Sequence, residues 1–269
     1  MEKRGLLKRK NKKAQLTIII IVAIIIIATI VLFMLFRETT SKNDLGAQYF
    51  KDNNLQPKVN NIQDFIVDCL ETTSEEALIQ IGIQGGYNNP PESYYDMEWT
   101  FVPYYYNQGE LLMPDKSTIE QELSSFVNEN IGECIDHDTN FDDFEITFPQ
   151  PQTTTQINTR EVTFTTNILI TIEHGGSTIT FELNDHPKTH PSKLKDIIDI
   201  ASYITESHIE DPNLMCVNCL TQMAKDNKVY IDFMAFTDDT TLVMITENQT
   251  LTQPYVFEFL NKYNVQPTL

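Results

Sequence analysis

The chain has 269 residues, and its 38 acidic against 19 basic side chains give a formal net charge of -19. This excess of negative charge argues against a general nucleic-acid binder, which needs clustered positive charge to contact phosphates. Hydrophobic residues make up 41% of the chain and aromatic residues 10%. That composition supports a packed core and excludes an intrinsically disordered chain.

The N-terminal region predicts a single membrane span. Residues 1–13 carry seven basic side chains and one acidic one, and the 21 residues from Leu16 to Phe36 are apolar except for two threonines. A helix of this length, at about 1.5 Å per residue, reaches about 31 Å, which matches the hydrocarbon core of a bilayer. Basic residues beside a span stay in the cytoplasm. We therefore expect a single-pass protein of the cell membrane, with a cytoplasmic N-terminus and an extracellular C-terminal domain.

The junction before the span consists of Lys13, Ala14 and Gln15, followed at once by the apolar run. It resembles the class III signal peptide of archaeal type IV pilin-like proteins. The resemblance implies that a prepilin-type peptidase cuts between Ala14 and Gln15, and that the helix remains as an anchor. It also implies pilin-like subunits of the same or another kind as partners. Many bacterial pilins carry glutamate at the fifth mature position, where this chain has Ile19; an uncleaved signal anchor is the alternative.

Four regions follow from these patterns. Residues 1–14 form a basic cytoplasmic leader, residues 15–37 the transmembrane helix, residues 38–61 a polar stalk, and residues 62–269 an extracytoplasmic domain. Predicted helices and strands in the outer domain come in blocks without strict alternation. This order favours an α+β fold with mainly antiparallel strands.

Apolar residues at helical spacing predict helices over residues 62–82, 117–135, 192–209 and 213–226. Alternating apolar residues predict strands over residues 144–148, 161–183, 228–236, 241–247 and 255–260, with a hairpin turn at residues 175 and 176. Gly82, Gly85 and Gly86 predict a helix end; a phosphate loop would need a lysine followed by a hydroxyl residue. Ser117 and Glu120 have the spacing of a capping box at the start of the second helix.

Residues 87–115 combine eight aromatic residues with four prolines. Helix is disfavoured there, and we expect a loop. Its aromatic side chains predict a recognition surface for a glycan, a peptide or a neighbouring subunit, because tyrosine and tryptophan offer large contact areas at low entropy cost. The candidate binding residues are Tyr95, Trp99, Tyr104 and Tyr105. The alternative is that these aromatic rings cap the domain's own core.

All four cysteines fall outside the membrane in this topology, where disulfides persist. Cys69 and Cys134 lie along the inward sides of two predicted helices, and we expect a disulfide bond between them. Cys216 and Cys219 form a C-x-x-C near the start of a predicted helix, where the helix dipole lowers the pKa of a thiol. A local structural disulfide or thiol pair, a redox site and a metal site all remain open for this motif.

Metal and cofactor binding find little support in the sequence. A zinc site at the C-x-x-C would need two further ligands, for which His186 and His190 are the nearest pair at suitable spacing. Oxygen-bearing side chains occur at alternate positions, Asp136, Asp138, Asn140 and Asp142, as in a calcium loop, but the glycine and the final glutamate of that loop are missing. We therefore predict no metal and no cofactor.

The sequence contains no recognised catalytic motif, so we expect a protein without enzymatic activity. Asn248 begins a glycosylation sequon. The favoured function is a structural, adhesive or surface-assembly role for a pilin-like anchored protein. The alternative is a plain signal-anchored extracellular domain with thiol–disulfide redox or ligand-binding activity.

Overall fold

The structure is a computed structural model that describes residues 47–136, 141, 143–210, 216–247 and 255–263. The processing residues Lys13, Ala14 and Gln15, the predicted span, most of the calcium-like loop after Asp136, and Asn248 lie outside these ranges. Within them, none of the helices is both long and apolar enough to cross a membrane.

The chain divides into two compact units. The described part of the smaller unit consists of residues 47–56 and the hairpin tip Glu173–Ile179. The ring of Tyr49 in this unit lies 6.4 Å from that of His174, between ring centroids. Gly175 adopts a φ of +58°, and a Cβ atom there would collide with the Tyr49 hydroxyl. The larger unit contains Pro57–Ile172 and the chain from Thr180 onward.

Four long helices are described beyond the short helical segment at residues 47–52: α1 Gln56–Ile83, α2 Lys116–Asp136, α3 Leu194–Glu210 and α4 Val217–Asn227. The strands are β1 Tyr94–Asp96, β2 Phe101–Asn107, β3 Glu110–Leu111, β4 Glu145–Thr147, β5 Gln152–Ile157, β6 Glu161–Asn167, β7 Leu169–His174, β8 Ser177–Glu182, β9 Lys188–Pro191, β10 Tyr230–Thr237, β11 Thr240–Glu247 and β12 Tyr255–Lys262. A short 3-10 helix covers Leu183–Asp185.

The strands form one six-stranded sheet and two three-stranded sheets. The large sheet has the order β1-β2-β12-β11-β10, with β3 also paired to β2, and the small sheets have the orders β4-β7-β8 and β5-β6-β9. Strand β2 pairs with β12 in parallel, whereas β10, β11 and β12 pair antiparallel. The predicted α+β class with mainly antiparallel strands is therefore confirmed.

Helix α1 begins at Gln56, six residues before the predicted start at Ile62. Pro57 does not break it, because the first turn of a helix needs no amide donor from that position. The predicted glycine end is confirmed. The Gly86 amide donates to the Ile81 carbonyl at 2.7 Å and the Gly85 amide to the Gly82 carbonyl at 3.0 Å. These two bonds form a Schellman motif.

The start of helix α2 corrects the predicted capping box. Asp115 Oδ1 accepts hydrogen bonds from the Thr118 amide at 2.7 Å and the Ser117 hydroxyl at 2.9 Å. These bonds hold the pKa of Asp115 below its usual range. Glu120 instead accepts from the Ile157 amide of β5 at 2.8 Å. Asp115 is therefore the N-cap of this helix. Glu120 does not complete a capping box, because its carboxylate joins the helix to a neighbouring strand.

Residues 87–115 contain three strands where a loop was expected, which is a second correction. The prolines suggested a loop because proline cannot donate to a strand ladder. Pro103 nevertheless lies in β2, where the register with β12 starts one residue later, at Tyr104. The threonine-rich strand β5 and the short strand β9 also lie outside the predicted strands.

The two faces of the large sheet differ in burial. On one face Val243, Ile245, Phe257 and Phe259 are completely buried. The C-terminal end of α1 packs tightly against β12, since a Cβ atom on Gly82 would lie 2.5 Å from a β12 carbonyl. On the other face a smaller cluster contains Val102, Leu242 and Leu260, with Met97, Tyr104, Phe236 and Met244 packed against it.

Candidate functional site

The first candidate site is a set of four exposed apolar side chains along one edge of the large sheet, which we call the aromatic edge: Tyr94, Tyr95, Trp99 and Leu111. Tyr94 and Tyr95 belong to β1, Leu111 to β3, and Trp99 to the turn between β1 and β2. Their exposed fractions are 40%, 41%, 79% and 49%. Among the described strands, none pairs with the outer side of β1 or β3.

The turn that carries Trp99 is held by three hydrogen bonds. The Glu98 amide donates to Asp96 Oδ1 at 2.8 Å, and Glu98 adopts a φ of +71°. The Trp99 amide donates to the Met97 carbonyl, and the Met97 amide to the Thr100 carbonyl, each at 2.9 Å. The turn thus presents the indole ring to solvent while its backbone is fixed, which lowers the entropy cost of a contact made by that ring.

The base of the aromatic edge is anchored by ring contacts. Tyr95 lies edge-on to Phe236 with 4.7 Å between ring centroids, and Tyr94 lies edge-on to Phe101 at 5.7 Å. Tyr104 is half-buried and packs against the small apolar cluster, and burial raises its pKa. Tyr94 and Tyr95 therefore combine an anchored ring with an exposed outer surface.

Tyr105 does not belong to this surface, contrary to the predicted set of binding residues. It is fully buried and stacks on Phe259 with 4.3 Å between ring centroids and 17° between ring planes. Its hydroxyl donates to the Gly85 carbonyl at 2.9 Å. Burial raises its pKa well above the ordinary value. Strand alternation explains this result, because Tyr104 and Tyr105 must point to opposite faces of the sheet.

Both cysteine pairs lie at bonding distance, which supports the predicted disulfide bonds. Cys69 of α1 is joined to Cys134 of α2, with Cα atoms 5.7 Å apart and a sequence separation of 65. Cys69 is 2% exposed. This bond links two helices that are distant in sequence, as expected for a structural bridge.

The second candidate site surrounds the disulfide between Cys216 and Cys219. Cys216 is the N-cap of α4, and its sulfur accepts a hydrogen bond from the Cys219 amide at 3.3 Å. Both cysteines are half-buried. The described element before them is helix α3 and not a strand. The motif therefore has the helix-start position predicted for it.

A groove of about 350 Å³ adjoins this disulfide. Its walls come from α4 and from the start of β10, and they include Val217, Leu220, Tyr230, Ile231 and Phe233. Val217 and Tyr230 are more than 60% exposed. Sequence analysis missed this groove, although the exposed valine inside the C-x-x-C was a signal for it.

His190 has a structural position in β9. Its Nε2 lies 2.6 Å from the Ser74 hydroxyl of α1, and its Nδ1 lies 3.8 Å from a Glu71 carboxylate oxygen. Burial lowers the pKa of His190, although Glu71 opposes this shift. The described residues contain no cluster of three or more histidine, cysteine or acidic side chains able to hold a metal ion. The zinc alternative with His186 and His190 thus gains no support.

Comparison with known proteins adds no relative from which a function could be transferred. No protein-family model, characterised protein or solved structure matches this chain.

Proposed function

We propose that this chain is a membrane-anchored extracytoplasmic protein with a pilin-like leader, and that its outer domain has a structural or adhesive role in assembly at the cell surface. The basic leader and the apolar run from Leu16 to Phe36 support the anchor and its orientation. The junction at Ala14 and Gln15 supports processing by a prepilin-type peptidase through its resemblance to archaeal pilin-like proteins.

The observation that carries the assembly role is the aromatic edge. It combines strand edges to which no other described strand pairs with four large exposed apolar side chains. Protein surfaces rarely leave strand edges unprotected, because an exposed edge pairs readily with another chain. Exposed aromatic rings on a fixed backbone are also typical of contact residues at protein interfaces.

Photo-crosslinking in native membranes tests the assembly role. The full chain receives a benzophenone amino acid in place of Trp99, and a matched variant receives it in place of Glu133, an exposed residue of α2. We expect an adduct at position 99 with a second copy of this chain or with another surface subunit, and no adduct at position 133. Absence of an adduct at position 99, or equal adducts at both positions, would refute assembly through the aromatic edge.

The anchor and its processing need a separate measurement. Intact mass and N-terminal sequencing of the protein from native membranes are expected to show a chain that begins at Gln15. A chain that begins at Met1 would instead support the uncleaved signal anchor. Recovery of the protein in the soluble fraction would refute the membrane anchor itself.

A further inference from the structure

We propose that the Cys216–Cys219 disulfide is a thiol–disulfide exchange site, and that the groove beside it binds an extended apolar segment of a substrate protein that carries two reduced cysteines. This activity goes beyond the assembly role and revises the expectation of a protein without chemistry of its own. It rests on three features of the larger unit: the accessibility of the disulfide, the cap geometry and the groove.

The two disulfides of the chain differ in the accessibility of one cysteine and in structural value. Cys69 is 2% exposed and its partner Cys134 is half-buried, whereas Cys216 and Cys219 are both half-buried and flank two exposed residues, Val217 and Asn218. The bond between Cys216 and Cys219 spans a sequence separation of 3, against 65 for the other bond. A bridge over so short a loop restricts the unfolded chain far less. Stabilisation of the fold is therefore a weak explanation for it.

The cap geometry favours release of a thiolate at Cys216. Its sulfur already accepts the Cys219 amide at 3.3 Å and lies at the N-terminus of α4, an eleven-residue helix. A negative charge on this sulfur would be stabilised both by that amide and by the helix dipole. A thiolate stabilised in this way is a good leaving group in disulfide exchange.

The groove supplies a place for the substrate chain. Val217 lies between the two cysteines in sequence and Leu220 follows the second, so the groove is lined by immediate chain neighbours of the disulfide, although neither cysteine lines it. Phe233, which is 39% exposed, lines the groove from β10. That strand ends the large sheet, and no described strand pairs with its outer side. An extended segment can add to such an edge while its apolar side chains enter the groove.

The exchange balances with the substrate dithiol as reductant and the protein disulfide as oxidant. A substrate thiolate attacks the Cys216 sulfur; a mixed disulfide forms, the bond to Cys219 breaks, and the Cys219 sulfur takes the electron pair and a proton. The second substrate thiolate then attacks the substrate sulfur of the mixed disulfide, and the electron pair leaves on Cys216. The substrate loses two electrons and two protons and gains a disulfide, while Cys216 and Cys219 become a dithiol.

Two synthetic peptides test this proposal on the full chain. Both carry two reduced cysteines, flanked by leucine and valine in one peptide and by serine in the other. After acid quenching, alkylation and mass spectrometry measure how fast Cys216 and Cys219 are reduced. We expect the apolar peptide to react about tenfold faster, which corresponds to burial of one or two apolar groups. The bond between Cys69 and Cys134, in which the Cys69 side chain is 2% exposed, should stay intact and report that the fold is retained.

Two charge variants separate groove binding from chemical reactivity. Val217→Asp places a carboxylate in the groove, whereas Asn218→Asp adds the same charge one residue later, at an exposed position that is not among the lining residues of the groove. We expect Val217→Asp to remove the preference for the apolar peptide and Asn218→Asp to retain it. Equal rates for the two peptides with the wild-type protein, or no exchange at Cys216 and Cys219 in the folded chain, would overturn the proposal.

Discussion

Removal of the bond between Cys69 and Cys134 should destabilise the larger unit more than removal of the bond between Cys216 and Cys219. The sequence separation is 65, and the chain-entropy relation converts this loop into about 4 kcal/mol at 25 °C. The same relation gives less than about 2 kcal/mol for the separation of 3 between Cys216 and Cys219. The predicted difference is therefore at least about 2 kcal/mol, which is large against ordinary domain stability.

The appropriate variants carry alanine at both cysteines of a pair. Serine would leave a hydroxyl at position 69, where the side chain is 2% exposed, and a buried hydroxyl without a partner adds about 1–3 kcal/mol of its own. Urea denaturation without reductant, followed by far-UV circular dichroism, measures the free energy of unfolding of the wild type and both double variants under the same solution conditions.

The expected order is wild type, then Cys216→Ala with Cys219→Ala, then Cys69→Ala with Cys134→Ala as the least stable. A loss below about 1 kcal/mol for the last variant would contradict the loop argument, since the relation predicts about four times that value. Equal losses for the two double variants would contradict it as well, because only the loop length distinguishes them in this relation.

Three further predictions concern single side chains. Tyr105→Ala should lower the free energy of unfolding by about 3–5 kcal/mol because it removes a fully buried ring. Trp99→Ala should change it by less than about 0.5 kcal/mol, because 79% of the Trp99 side chain is exposed. Asp115→Ala should cost about 1 kcal/mol through loss of the N-cap, and Ser117→Ala should cost less. Burial lowers the pKa of His190 from 6.5, so protonation of this histidine favours the unfolded chain. The contribution of His190 to the free energy of unfolding should be complete above pH 6.5 and fall as the pH drops below it. His190→Gln should make the free energy of unfolding less dependent on pH in this range.

Urea midpoints at pH 7 measure the substitution effects, and a series from pH 7.5 to pH 5 measures the slope. A loss of much more than about 0.5 kcal/mol in the free energy of unfolding for Trp99→Ala would mean that the indole ring is part of the core. A larger cost for Ser117→Ala than for Asp115→Ala would restore the capping box. An unchanged slope in His190→Gln would assign the pH dependence to other groups.

The helices were largely predictable because the buried side of each helix requires apolar residues three or four positions apart, and this spacing is visible in the sequence. The inward side of α2 follows from Ile119, Leu123 and Val127, all completely buried in the structure. The glycines after α1 were equally informative, since a Schellman motif needs positive φ at its end and glycine supplies it without strain. The disulfide bond between Cys69 of α1 and Cys134 of α2 was also predicted, from the positions of both cysteines along the inward sides of these helices.

The region of residues 87–115 shows where local signals fail. Its prolines favour a loop, and the strands form because β12, more than 150 residues away, pairs with β2 from Tyr104 onward. The threonines of β5 pair with β6, the next strand in the chain, but lack the apolar alternation that predicts a strand. Formation of β2, by contrast, depends on a partner that no local window contains.

The sequence by itself determined the charge asymmetry, the apolar run, the helices and the chemistry available at the C-x-x-C. Only the tertiary structure decided which aromatic residues are accessible: Tyr105 stacks inside the core, whereas Trp99 is 79% exposed. It alone also placed a groove beside Cys216 and Cys219. The accessibility of a side chain depends on which surfaces pack against each face of the sheet. Pairing between distant segments decides this packing, and the composition of a single segment does not.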